Sequence, residues 1–266
     1  MVHDQSFDDI EVSIQSHVAI IEIQRPPHNF FDYALIQQIA SAMEGIDKDN
    51  NLRAAVLCSQ GKSFCAGANF NSDGTSSNQS GGSDSADRSS HLYVEAVRLF
   101  ATKTPIIGAI QGAAIGGGFG LSLVPDFRVA CPESRFAANF TRLGFHPGFG
   151  LTHTLPSLIG HQKASLMFYT SRRIKGPEAY DWGLADMLVP LDEVRQSAIN
   201  LAQEIAENSP LGVIETRATM RQGLADRVRK ATDHELIVQN KLRNTEDFKE
   251  GIRAVSERRV PNFTGS

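Results

Sequence analysis

Two stretches place small residues where the backbone, not the side chains, could do chemistry. Gly112 to Asp126 reads GAAIGGGFGLSLVPD, with Gly116, Gly117 and Gly118 in a row and Gly120 close behind. A glycine inside a helix costs ~1 kcal/mol relative to alanine, so packing alone is a poor reason for such a run. Gly61 to Asn69 reads GKSFCAGAN and follows the apolar segment Ala54–Cys58. Small residues let backbone N–H groups approach a ligand. A helix beginning at Gly116 or Gly117 would add unsatisfied donors and a positive dipole end. Two such N–H groups converging from separate turns make an oxyanion hole. The same glycines would also permit close helix–strand packing.

Other chemistries lack their residues. No Gly-Lys-Ser/Thr follows the glycine run, and the third glycine of a GxGxxG would fall at Leu121 or Leu123. Neither GxSxG nor HExxH occurs. His28, His91, His146, His153 and His161 show no ligand spacing, so no metal is expected. Cys58, Cys65 and Cys131 form no CxxC, which points to a reducing compartment, the cytoplasm, rather than a disulfide framework. The formal charge of −4 gives no reason to expect nucleic acid or an anionic membrane as partner. No apolar run approaches the ~18–20 residues of a membrane span, and the polar N-terminus MVHDQSFDDIEVSIQ does not read as a signal peptide.

The elements that would position these turns read as α/β. Val18–Ile23, Ala54–Cys58 and Pro105–Ile110 have strand character, with shorter candidates at Phe127–Ala130 and Asp186–Val189. Leu35, Ile36, Ile39, Met43 and Ile46 mark one face of a helix between the first two strands. Strand–helix alternation argues for an α/β core, and neighbouring strands in it would bring the two small-residue turns to one edge of the sheet. From Leu191 onward apolar residues step by three and four, first through Val194, Ala198, Leu201 and Ile205, later through Phe248, Ile252 and Val255. The expected organisation is an α/β core over residues 1–195 and a C-terminal helical region over 196–266. Within the core, residues 71–90 (NSDGTSSNQSGGSDSADRSS) are almost wholly small and polar, which suits a mobile surface loop or, less simply, a linker.

Four segments together carry a resemblance: GKSFCAGANF (61–70), KTPIIGAIQGAAIGGGFGLSLVPDFRVA (103–130), FAANFTRLGFHPGFGLTHTLPSLIG (136–160) and TEDFKEGIRAVSERRVPNF near the end. They resemble, in order and over nearly the whole chain, the crotonase superfamily (the enoyl-CoA hydratase/isomerase family). The resemblance implies a spiral of ββα units with a C-terminal helical trimerisation region. It implies an acyl-CoA thioester substrate, with coenzyme A as part of the substrate and no permanently bound cofactor. It also implies a homotrimer or a hexamer built of trimers. The oxyanion donors it implies are the N–H groups of Ala66 and Gly117. Gly116, Gly67, Ala68 and Asn69 would line the acyl and pantetheine path, Asn69 standing where many members carry Asp. Arg258 matches a basic position near the CoA nucleotide, and equally reads as a solvated arginine in the run Glu257-Arg-Arg259.

The chain departs from that pattern where proton transfer would occur. The two glutamates of a typical hydratase fall at Gly120 and Phe140, and the alternative isomerase acid falls at Gly148. Adding water to a conjugated enoyl thioester needs groups that orient the water and move its proton, which glycine and phenylalanine do not supply. His146 is the remaining candidate acid–base, with a loop-shaping role as the alternative. Asn139 could orient water or a carbonyl. Tyr93 and Glu95 fall on a helix that walls the acyl pocket in the family, and their two-residue separation argues against both pointing inward. Cys65 reads as packing and Asp126 as a tie at a strand start. The expected function is an acyl-CoA enzyme with atypical chemistry: hydration, decarboxylation or thioester hydrolysis. A CoA-thioester binding protein without catalysis is the alternative.

Overall fold

The structure is a computed structural model and describes residues 6–69 and 92–266. The segment 71–90, expected as a mobile loop, lies outside them. A six-stranded sheet has the order β1-β2-β3-β4-β6-β9. Its strands are β1 (Ile10–Gln15), β2 (Val18–Ile23), β3 (Ala54–Ser59), β4 (Ile106–Ile110), β6 (Phe127–Ala130) and β9 (Met187–Leu188). β1 and β2 form an antiparallel hairpin, and every later neighbour pair is parallel. The hairpin strand β1 was not anticipated, although Ile10, Val12 and Ile14 alternate with polar residues across it.

A second sheet joins β5 (Ala113–Ile115), β7 (Arg135–Ala137) and β8 (Arg173–Lys175). Strands of three residues give almost no periodic signal, so this layer could not be read from the sequence. The helices are α1 (Tyr33–Ile46), α2 (Leu92–Phe100), α3 (Gly117–Ser122), α4 (Leu151–Ile159), α5 (His161–Thr170) and α6 (Gly176–Asp181). They continue with α7 (Val194–Ala206), α8 (Pro210–Met220), α9 (Leu224–Leu242) and α10 (Glu246–Ser256). α1 starts where Asp32 accepts the N–H of Leu35 at 2.9 Å, capping a first turn that would otherwise lack an acceptor. Leu35, Ile36, Ile39, Met43 and Ile46 are its buried stripe, as the spacing predicts.

Two cores sandwich the large sheet. In β3, Ala55 and Leu57 face the core shared with α1, α2 and the second sheet, while Ala54, Val56 and Cys58 face the other. That other core is closed by Val194, Ala198, Ile199, Ala202 and Ala206 of α7. The expected limit at 195/196 therefore falls inside α7, which packs on β3, β4 and β6. A helix shows the same three-to-four period whether it covers a sheet or leaves it, so periodicity could not place this limit. α9 packs on α2 and α4, and α10 on the 3-10 turn Thr141–Leu143. Asp126 accepts the N–H of Ile106 at 2.8 Å and pairs with Arg217 and Arg221 of α8 and its end, fixing that helix to the sheet. Cys58, Cys65 and Cys131 are buried free thiols. Among the described residues no helix is long and apolar enough to cross a membrane.

Candidate active site

β3 and β4 run parallel, so the turns beyond them emerge at the same sheet edge. A single parallel bridge ties them: Cys65 N donates to the Ala113 carbonyl at 2.9 Å, and Ile115 N to the Cys65 carbonyl at 3.0 Å. Backbone then meets backbone so closely that no side chain fits. A Cβ added at Gly112 would stand 1.8 Å from the Lys62 carbonyl oxygen, and one at Gly118 2.2 Å from that of Cys65. Gly67, at φ +89°, would bring a Cβ to 2.7 Å of the Ile115 oxygen. Close packing is therefore one reason for glycine at these positions.

The segment before α1 grips the first turn. Asn29 is fully buried and donates through Nδ2 to the carbonyls of Gln60 (2.8 Å) and Ser63 (2.7 Å). Its Oδ1 accepts the N–H of Arg25 at 3.0 Å. Phe31 N donates to the Gly67 carbonyl at 3.1 Å, and Ala66 N to the His28 carbonyl at 2.9 Å. The last bond engages one of the two expected donors. The Ala66 N–H already holds the turn together, whereas the Ala68 N–H has no acceptor among the described residues. The motif supplies both alanines around Gly67, and only the fold tells which faces inward.

The second turn delivers the other donor. Gly116, at φ +57°, caps α3 and donates to the Ala137 carbonyl at 2.8 Å. Gly117 is the first residue of α3, where an N–H has no intrahelical acceptor, and none is found among the described residues. With Ala68 it offers two unsatisfied N–H groups on adjoining turns. The short length of α3 limits its dipole, so the directed N–H groups, not the helix, carry the electrostatics.

Aromatic rings close around Gly117. A Cβ there would stand 2.2 Å from the Phe31 ring, and that ring meets Phe149 edge-on at 5.9 Å between centroids. Phe149 in turn fills the space beside Gly120, where a Cβ would lie 2.7 Å from the phenylalanine Cβ. Asn139 Oδ1 and the Phe140 ring border Gly116, at 3.4 and 3.8 Å from an added Cβ. At Gly148 a Cβ would stand 1.9 Å from the Tyr93 hydroxyl and 2.5 Å from Gln239 Nε2. Each of the three positions singled out for an acid is thus bordered or filled by an aromatic side chain.

Tyr93 and Glu95 face different neighbours, because α2 is packed on two sides. Tyr93 faces α9 and donates to Gln239 Oε1 at 2.8 Å, and burial together with the nearby Glu235 charge pushes its phenol up. Glu95 faces α1, pairs with Arg98 and accepts the Tyr33 hydroxyl at 3.3 Å. His146 uses Nδ1 on the Pro147 carbonyl at 2.8 Å, its ring lies 6.2 Å from that of His234, and its own carbonyl accepts Gln239 Nε2. Burial pushes the Cys65 thiol up to about 12, against thiolate chemistry at neutral pH. Arg258 is exposed just beyond α10, and Arg259, not Arg258, pairs with Glu250. Among the described residues no group of three or more His, Cys, Asp or Glu could hold a metal ion.

The motifs gave several of these residues no role, although Phe149 lies inside the segment 136–160. Phe31, Phe149, Gln239 and the buried Glu235, which caps α4 through Gly150 N (2.8 Å) and Thr152 N (3.0 Å), were not anticipated. For α9 a signal existed: Glu235, Gln239 and Arg243 recur every four residues, which lines them along one face.

Comparison with known proteins agrees with this fold. The Enoyl-CoA hydratase/isomerase family model matches residues 13–266. The "Probable enoyl-CoA hydratase 2, mitochondrial" of Arabidopsis thaliana is 30% identical over 258 residues, spanning 94% of this chain and 83% of its own. The crystal structure of an enoyl-CoA hydratase/isomerase from Pseudoalteromonas atlantica T6c superposes with a TM-score of 0.85 at 25% identity, covering 97% of this chain and 100% of the other. An enoyl-CoA hydratase from Bacillus anthracis gives 0.73 at 29% identity, over 97% and 100%.

Proposed function

The chain belongs to the enoyl-CoA hydratase/isomerase family, and from that premise we propose that it polarises the thioester carbonyl of an acyl-CoA between the N–H groups of Ala68 and Gly117. The observation that carries this reading is the pair of unsatisfied N–H groups on two turns locked by the Cys65–Ala114 bridge. Both donors are fixed before substrate arrives, so negative charge developing on the carbonyl oxygen meets dipoles that need no reorganisation. Removing one such donor costs ~10²–10³ in rate. Coenzyme A enters as part of the substrate, and the reaction calls on no resident cofactor. A homotrimer, or a hexamer built of two trimers, belongs to the same reading. Leu211 and Met220 of α8, 74% and 82% exposed, are apolar surface that self-association would cover.

The finer chemistry is read from what surrounds the hole. With Phe149 beside Gly120, Phe140 at the second position and the Tyr93 hydroxyl against Gly148, no carboxylate replaces the family's acids at these points. The reading this favours is a reaction in which carbonyl polarisation does most of the work. In decarboxylation of a malonyl-type thioester, the bond to the carboxylate breaks and its electron pair passes into the thioester carbonyl. The resulting enolate oxygen is held by the two N–H groups, and no protein base is consumed. Thioester hydrolysis and hydration come next. For hydration, His146 would act through Nε2, since Nδ1 is committed to Pro147.

Three assays on the purified protein separate these reactions: loss of conjugated crotonyl-CoA absorbance, CO2 release from malonyl-type thioesters, and thiol release. Ala68→Pro deletes one donor and should reduce whichever activity is present by about 10²-fold or more. Absence of all three activities with acyl-CoA bound, or full activity in Ala68→Pro, would overturn the reading.

A further inference from the structure

One cation beside this site has no counter-charge among the described residues. Arg243 follows α9 directly, one turn beyond Gln239 on the same face. Its guanidinium lies 5.2 Å over the Phe145 ring, and its Nε is buried with no hydrogen-bond partner. It forms no ion pair with any described carboxylate. Burial pulls the guanidinium's pKa down, and among the described residues the Tyr93 phenol acts against this. Most half-buried arginines meet a carboxylate: Arg25 meets Asp9 and Asp32, Arg98 meets Glu44 and Glu95, and Arg217 and Arg221 share Asp126. Arg53 has an unmet Nε and no ion pair among the described residues as well, but its guanidinium donates to the Ala206 carbonyl at 3.0 Å. A helix C-terminal end favours a cation, but it does not require that cation to be drawn under an aromatic ring with an unmet donor.

Its position relates it to the hole. Contacts run without a break from Gly117 to the Phe31 ring, from Phe31 to Phe149, and from the neighbouring Gly148 to Tyr93 and Gln239. Arg243 stands at the far end of this line, one helical turn (~6 Å along α9) past Gln239. An acyl chain anchored by its carbonyl at Gly117 and running along these side chains would present its distal end to the guanidinium.

We propose that Arg243 is a specificity-determining residue that binds a carboxylate at the distal end of the acyl group, so that the substrates are CoA thioesters of dicarboxylic acids. The inference rests on the reading that the Ala68–Gly117 pair holds an acyl-CoA carbonyl. A carboxylate supplies what the site lacks: a charge of opposite sign and a planar pair of acceptors that a guanidinium meets in bidentate fashion. A neutral chain of equal length would leave the buried donor unmet.

Binding of unreactive saturated thioesters tests this without requiring turnover. Dicarboxylic monothioesters of five to eight carbons are titrated calorimetrically against monocarboxylic acyl-CoAs of the same length, with the wild type, Arg243→Met and Arg243→Lys. At the best-fitting length the wild type should prefer the dicarboxylic partner by about ten-fold or more. Arg243→Met should abolish the preference while leaving monocarboxylic acyl-CoA affinity and native size unchanged, and Arg243→Lys should retain part of it. Equal affinity for the two classes, or a preference surviving in Arg243→Met, would overturn the proposal. Equal weakening of both classes in Arg243→Met would overturn it in favour of a contact with the CoA phosphates or a subunit neighbour. Failure of every thioester to bind the wild type would overturn the parent reading, and this inference with it.

Discussion

The hydroxyl of Tyr93 occupies the space that a side chain at Gly148 would need, since a Cβ placed there would stand 1.9 Å from that oxygen. Glycine at 148 and tyrosine at 93 are therefore one structural decision made in two places. Gly148→Ala should destabilise the protein by ~1–3 kcal/mol through overpacking. Tyr93→Ala should also destabilise it, through the lost Gln239 bond and buried ring. The double variant should be more stable than the sum of the two predicts, by ~1 kcal/mol or more. Urea unfolding of the four proteins measures this coupling, and strict additivity would refute the relationship.

Installing the glutamates of a typical hydratase should fail while Phe149 is in place. A side chain at Gly120 would collide with the Phe149 Cβ at 2.7 Å and with its ring at 2.8 Å. Gly120→Glu with Phe140→Glu should give a destabilised protein with no gain in crotonyl-CoA hydration. Adding Phe149→Ala should recover part of the lost stability. A gain in hydration by the double variant alone would show that Phe149 yields more easily than its burial suggests.

Asn29 should matter more than its distance from any reacting atom suggests. Its Nδ2 bonds to Gln60 and Ser63 hold the turn that carries Ala68. Asn29→Ala removes both bonds and leaves the Arg25 N–H without its acceptor, at a cost of ~1–3 kcal/mol. Acyl-CoA turnover should fall with a larger change in kcat than in KM, because the hole loosens while the acyl wall persists. Steady-state kinetics beside thermal unfolding would check both parts.

Asp126 sets an acid limit. Burial alone would push its carboxyl up, but the charges of Arg217 and Arg221 and the Ile106 N–H outweigh burial and hold it below the usual aspartate value. A depressed carboxyl contributes stability that is complete above the ordinary aspartate range, ~3.9, and is lost as pH falls through the depressed value. Asp126→Asn should cost ~3–5 kcal/mol at neutral pH by leaving two arginines without their partner. It should also flatten the acid limb of Tm against pH. An unchanged acid limb would remove Asp126 from that role.

How much of this was legible beforehand follows from the length and locality of each signal. Strands of four to six apolar residues, the α1 stripe and the two glycine turns announce themselves within a short window. The three-residue strands of the second sheet do not, and neither does the attachment of α7 to the large sheet. Of the proposed donor pair, Gly117 is the one that the resemblance implies, whereas Ala66 and Ala68 look alike until the His28 carbonyl is seen to take the first. The aromatic plugs at Gly120 and Gly148 arise from contacts 29 and 55 residues apart in sequence, which no local pattern encodes. Glu235, Gln239 and Arg243 did leave a four-residue period, but a polar one on a helix whose solvent face is polar too.

The three cysteines offer a practical opening. All are buried, and burial pushes the Cys58 and Cys65 thiols up to about 12, so at neutral pH almost no thiolate from either is available to alkylating reagents. A single cysteine introduced at Tyr169, which is 79% exposed on α5, would react far ahead of the native three. The unaltered scaffold is thus a quiet background for site-specific fluorophores or spin labels, with no native thiol to delete first.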